Sequence, residues 1–326
     1  MTKDRQDNTV AVVIPTFRRE KTLCDTIESV LRLDPQPHEI YVIDQTPEHE
    51  PATETCLMQA VERGVQVVRL PQPAVCFARN LGAALCHSDI IIYLDDDVAI
   101  ERKDFVEAHR RNYAAAEIQA VWGQILAPDR AVTGRCGDLA QVPQNYAFRV
   151  NGIRHLVGAN HSIRRRVLLE MGGYDESFEG RTFANEDGDL GFRLYEQGYR
   201  IDFDPAASLI HLRAPAGGNR ITVRDAFPEW TRSVTFFQFA LRHYSGWARI
   251  WHILQVFRRI ALRRQNLSAP WRLPGAVGHA VCGFWRAWQR HRRGFRSSLL
   301  SPGVAYLRQH YAAEAKGRHA WTLSVS

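Results

Sequence analysis

No apolar run in this chain of 326 residues approaches the roughly 20 needed to span a bilayer. Cysteine is sparse: Cys24, Cys56, Cys76, Cys86, Cys136 and Cys282 form no Cys-x-x-Cys pair and no metal-ligand spacing. Met1–Asn8 is polar and charged, so no signal peptide is expected and the reading is a reducing, cytoplasmic compartment. No Gly-x-Gly-x-x-Gly or Walker-type loop follows the first apolar run, which argues against a dinucleotide fold and a P-loop. No internal repeat or low-complexity segment occurs. Acid is scarce at the back of the chain. Residues 221–326 hold 17 Lys and Arg against three Asp and Glu, whereas residues 1–220 hold 25 against 32. An acidic front and an Arg-rich back imply different partners, a metal and a phosphate-bearing small molecule in front and something anionic behind.

What is present centres on Ile90-Ile-Ile-Tyr-Leu-Asp-Asp-Asp-Val98. Its β-branched half reads as a buried strand that runs into three carboxylates. Alternation along an extended segment sends Asp95 and Asp97 one way and Asp96 the other. Three adjacent anions repel, and a divalent cation, Mn²⁺ or Mg²⁺, would relieve them. A solvated acidic turn is the alternative.

Upstream, Val10–Pro15, Ile40–Asp44 and Gln66–Leu70 read as strands, with helices over Lys21–Leu33, Pro51–Arg63 and Val75–Cys86. This β-α alternation predicts an α/β fold with a mostly parallel, Rossmann-like sheet flanked by helices. Ligands bind such sheets beyond the carboxyl ends of the strands, where one crevice would collect Pro15, Asp44 and Asp95. Downstream, Asp104–Ala116 reads as a helix, Ala120–Leu126 as a strand, Pro128–Gly152 as turn-rich, and Arg164–Met171 as a short helix. Another helix opens at Asn185-Glu-Asp-Gly-Asp, and Ile201–Phe203 and Ala207–Leu212 are two short strands. From Trp230 onward Trp, Phe and Leu recur at helical spacing among arginines that include Arg249, Arg258, Arg259, Arg263 and Arg264, with Pro270 and Pro274 breaking the pattern. Three readings of this region stand open: a helical core or homodimer seam, a basic amphipathic surface on an anionic membrane, or nucleic-acid binding. The last has the charge but no recognisable module, and no nucleic-acid partner is expected.

The order Val12-Val-Ile-Pro-Thr-Phe17, Val42-Ile-Asp44, Ala78-Arg-Asn80, Leu94-Asp-Asp-Asp97, Gly158-Ala-Asn160, Gly172-Gly-Tyr-Asp175 and Glu186-Asp187…Asp189-Leu…Arg193 resembles family 2 glycosyltransferases of the GT-A fold, over roughly residues 10–212. The resemblance implies a catalytic domain over 1–220, with a nucleotide-sugar half to about 100 and an acceptor half beyond, followed by a helical region over 221–326. It implies a nucleotide-sugar donor of UDP or dTDP type, a divalent metal, and displacement at the anomeric carbon with inversion. Pro15, Thr16, Asp44, Arg79, Asp95 and Asp96 would then hold the nucleotide, and Asp97 with Asp95 the metal. His211 matches a histidine that some members add as a metal ligand. Asp187 would be the catalytic base, with Glu186 beside it, and Gly158 and Asn160 would lie on the acceptor side. A glycan or polyprenyl-diphosphate-linked acceptor in bacterial surface polysaccharide synthesis follows, with the enzyme in the cytoplasm or peripheral on the inner face of the membrane. Gln45-Thr46-Pro47 departs from the family's usual residues after the second strand, and the Gln-x-x-Arg-Trp signature of processive synthases is absent, so one sugar per encounter is expected. A sugar-phosphate nucleotidyltransferase is the competing enzyme, but Thr16-Phe-Arg-Arg19 lacks the glycines such a loop needs. A non-catalytic scaffold is the third reading.

Overall fold

A computed structural model describes residues 8–129, 131–137, 142–178, 185–215, 217–218, 230–262, 264–300 and 303–315, without the side chains of 230–232, 264–265 and 312–315. The expected boundary at 220/221 and Arg263 lie outside the described residues, as does the side chain of Arg264.

The first half is built as its pattern requires. Strands β1 (Val10–Thr16), β2 (Glu39–Asp44), β3 (Gln66–Arg69) and β4 (Ile90–Leu94) lie parallel in the order β3-β2-β1-β4. β1 and β4 are buried throughout because helices cover both faces. Helix α1 (Lys21–Leu31) buries Leu23, Ile27, Val30 and Leu31, a stripe in which each side chain contributes about 1.5–3 kcal/mol. Helix α2 (Pro51–Glu62) begins on its proline, whose missing N–H costs nothing at a helix start. Helix α3 (Val75–Leu85) lies so close to β1 that a Cβ on Gly82 would stand 2.5 Å from Val13 Cγ1.

Beyond β4 the sheet becomes mixed and continues β8-β6-β9-β5, with β7 also on β9. β8 (Asn160–Arg164) runs antiparallel to both β4 and β6 (Ile118–Leu126). β9 (Arg200–His211) runs parallel to β6, and the short β5 (Val98–Ala99) and β7 (Val150–Asn151) are antiparallel to β9. Helices α4 (Phe105–Arg110), α5 (Arg165–Glu170) and α6 (Glu186–Glu196) complete this half. The two strands expected over 201–212 are one strand. Pro205 does not end it, because the ladder to β6 shifts register between Gly123 and Ile125, where β9 needs no N–H from the proline.

Helices α7 (Trp230–His243), α8 (Gly246–Ala261), a short α9 (Arg264–Leu267) and α10 (Leu273–Arg293) follow. Pro274 sits in the first turn of α10, so it starts this helix where a break was expected. Val234, Phe237 and Leu241 of α7, Ile260 of α8, and Ala280 and Ala287 of α10 form a second core. The chain then returns to the main body. Leu299 and Leu307 join the large core, and Arg308 of α11 (Gly303–Ala315) donates from Nε to Ala84 O at 2.6 Å and from Nη2 to Cys86 O at 3.3 Å. A cation on the last carbonyls of α3 suits the negative end of that helix. No helix among the described residues is long and apolar enough to cross a membrane.

Candidate active site

The carboxyl ends of β1 and β4 and the start of α6 open into a cleft of about 710 Å³ whose lining includes Pro15, Thr16, Arg79, Asp95, Asp96, Asp97, Gly158, Glu186, Asp187 and His211. Ten of the residues singled out from sequence therefore meet there.

At the end of β4 the three aspartates diverge as strand alternation requires. Asp96 turns inward, accepting from Thr16 Oγ1 at 2.7 Å and from Arg19 Nε at 3.0 Å. Burial pushes its carboxyl up to about 6, opposed by the Arg19 charge. Asp95 and Asp97 face His211, whose Nε2 lies 3.3 Å from an oxygen of each. His211 reaches them because its strand residue pairs with Val98, one residue past Asp97. Asp97 also accepts from Ala214 N at 2.8 Å and Arg19 Nη2 at 3.1 Å. Burial alone would raise Asp95, but the hydrogen bond and charge of His211, with Arg79 and Arg19, hold it below its usual value.

Asp95, Asp97 and His211 each offer one donor atom, and these atoms lie within 4.8 Å of one another. Two carboxylate oxygens and an imidazole nitrogen suit Mn²⁺ or Mg²⁺. His211 Nδ1 accepts from Arg213 N at 3.2 Å; metal binding at Nε2 would move the ring proton to Nδ1 and end that contact.

In the same cleft, Glu186 and Asp187 occupy the first turn of α6. Asp187 accepts from Gly158 N at 2.6 Å and Gly188 N at 2.7 Å. Glu186 is buried and accepts from Arg79 Nη1 at 3.0 Å. Burial, then the charge of Asp187, pushes the Glu186 carboxyl up to about 7 against the pull of Arg79. Arg79 links the two acidic groups: its other arm lies 3.8 Å from Asp95 and its guanidinium carbon 5.1 Å from the centre of the Tyr174 ring. Buried Arg79 Nε has no hydrogen-bond partner.

Two expected residues are placed elsewhere. The Asp44 carboxylate does not face the cleft; it is fully buried, held by Thr46 N at 2.9 Å and His49 Nε2 at 3.1 Å. Burial lowers His49, but Asp44 and Glu20 outweigh that and leave it raised. The neighbour that does line the cleft is Gln45, which donates to Thr16 O at 3.1 Å and accepts from Ala74 N at 2.6 Å. Asn160 is also buried and committed. Its amide donates to Gln124 O at 3.0 Å and Ala207 O at 2.8 Å, and its Oδ1 accepts from His109 Nε2 at 3.0 Å. It ties β8 to β6, β9 and α4, and it is not among the residues that line the cleft. Sequence reasoning passed over Arg19, buried between Asp96 and Asp97; two adjacent arginines after a strand that ends beside three aspartates were the available signal.

A parallel β-α half whose strand ends carry an Asp-x-Asp set, joined to a mixed half that supplies a carboxylate pair and a histidine, defines a GT-A fold glycosyltransferase. Residues 11–172 match the profile of glycosyl transferase family 2, and the chain belongs to that family. It is similar to the glucosyl-dolichyl phosphate glucuronosyltransferase of Haloferax volcanii, 24% identical over 62% of this chain and 68% of that protein. It is also 24% identical, over 62% of its length, to the O-antigen biosynthesis protein RfbC of Myxococcus xanthus, of which it spans only 17%. Its fold is similar to that of the mannosyltransferase PcManGT from Pyrobaculum calidifontis, solved with GDP-Man and Mn²⁺, with a TM-score of 0.51 at 14% identity over 97% of this chain and 88% of that one.

Proposed function

We propose that the protein transfers one sugar from a nucleotide-diphosphate donor to an acceptor hydroxyl with inversion, using a divalent metal. The observation that carries this is the meeting, in one cleft, of an O,O,N metal-ligand set and a separate carboxylate pair. Asp95, Asp97 and His211 would hold Mn²⁺ or Mg²⁺, which when bound stabilises the charge that grows on the leaving diphosphate. Thr16, Gln45 and Pro15 line the nucleotide end, with Asp44 supporting that loop from behind. Asp187 takes the acceptor proton. Its two backbone N–H contacts hold the carboxylate toward the cleft, and Glu186, tied to Arg79, fixes the turn that carries it. Separation of the base from the diphosphate side is what an inverting displacement needs, because the attacking hydroxyl enters opposite the leaving group. The names of the similar glucuronosyltransferase and O-antigen protein support a lipid-linked or polysaccharide acceptor in surface glycan synthesis.

The test is Asp187→Asn in an assay that reports the anomer of the product. Nucleotide affinity should hold while transfer falls by about 10²–10⁴, the usual worth of a general base. Near-normal transfer by this variant, or retention of configuration by the native enzyme, would refute the assignment.

A further inference from the structure

Helix α8 is apolar on two faces. One, with Ile253, Val256, Phe257 and Ile260, packs against α7 and α10 in the second core. The other carries Trp247, Ile250, Trp251 and Leu254 at helical spacing, and all four are exposed, Trp247 by 84%. Helix α10 repeats the arrangement. Ala280 and Ala287 face inward while Val277, Val281 and Trp285, four residues apart, face out, and Trp271 just before the helix is 77% exposed. Apolar rows of this extent are not left to water without a partner.

The charge of the same segment says what the partner is. Between Glu229 and Glu314 the chain has no acidic residue, against 14 arginines and no lysine. A second copy of this face would bring arginine against arginine with no carboxylate on either side to pair them. A nucleic-acid backbone would answer the charge but give Ile250, Leu254, Val277 and Val281 no apolar environment. A bilayer bearing anionic phosphates answers both: Trp and aliphatic side chains enter the headgroup boundary, and guanidinium groups bind phosphate oxygens in pairs. We propose that the outer faces of α8 and α10 dock the protein on the surface of an anionic membrane, without crossing it.

The test uses the full chain and vesicles of phosphatidylglycerol with phosphatidylcholine, beside vesicles of phosphatidylcholine alone. The protein should sediment with the anionic vesicles, much less with the neutral ones, and be released as salt screens the charge. Trp247→Ser with Trp251→Ser should lose most of this binding at unchanged melting temperature, because both side chains are already in water. Arg258→Gln with Arg272→Gln, both exposed, should weaken anionic binding by roughly thirtyfold and leave neutral binding alone. Failure to bind anionic vesicles overturns the proposal, as does binding that neither pair of substitutions moves. So does a dimer that the Trp substitutions dissolve, or salt-sensitive capture of duplex DNA that those substitutions leave intact. Metal-dependent nucleotide binding, which none of these residues touches, reports on the catalytic reading independently.

Discussion

Arg79→Met separates two roles that one guanidinium plays. Arg79 is buried, 3.0 Å from Glu186 and 3.8 Å from Asp95. Glu186 sits at about 7 where its ordinary value is 4.5. A carboxyl whose folded value is raised binds a proton that the unfolded chain has already released, so its stabilising contribution is complete below 4.5 and is lost as pH rises toward 7. In the native protein that loss levels off above 7 at about 3 kcal/mol. Without Arg79 the nearest cation is gone and the carboxyl rises by a further 1–3 units or so. Near pH 7 the native Glu186 is only partly ionised, so through this group the variant is worse by less than about 1 kcal/mol. Above pH 7 the gap widens by about 1.4 kcal/mol per unit, reaching about 1–3 kcal/mol near pH 9. Lost stacking on Tyr174 adds about 1 kcal/mol independent of pH. Urea unfolding of both proteins at pH 6, 7, 8 and 9 reads this directly. A stability difference that stays constant from pH 6 to pH 9, or shrinks, would refute the coupling of Arg79 to Glu186.

Gly158→Ala would place a Cβ 2.5 Å from Arg79 Nη2 and 3.6 Å from Asp187 Oδ2. It should cost about 1–3 kcal/mol in chemical denaturation and lower transfer more than it raises the KM for donor, because the N–H that holds Asp187 must move. Asn160→Ala should act through stability alone. Each buried partner it leaves unpaired, on His109, Gln124 and Ala207, costs about 1–3 kcal/mol, so the melting temperature should drop steeply while acceptor KM, measured on the folded fraction well below that temperature, stays as it was.

The parallel half was legible because its strands are buried on both faces and read as unbroken apolar runs, and because the Asp-rich triplet obeys strand alternation. β8 was not, since Asn160-His161-Ser162 is polar yet buried. His161 donates from Nδ1 to Val157 O at 2.9 Å and accepts from Tyr174 Oη at 2.6 Å, and burial pulls its ring down to about 3, leaving it neutral. A strand whose polar groups are satisfied inside the protein carries no periodicity to find. The setting of Asp44 was hidden for a related reason: a carboxylate at a strand end carries no sign in the sequence that His49, five residues on, bonds to it. The pairing of Asp187 with Gly158 was likewise hidden, because it depends on a backbone N–H that any residue type would supply.

The most direct measurement is calorimetric titration of UDP, dTDP and GDP, each with and without Mn²⁺, into the native protein, Asp97→Asn and Asp187→Asn. The account predicts that at least one nucleotide binds the native protein only with Mn²⁺, that Asp97→Asn loses this metal-dependent binding, and that Asp187→Asn keeps it. Nucleotide binding that ignores Mn²⁺, or Mn²⁺-dependent binding that survives in Asp97→Asn, would contradict it.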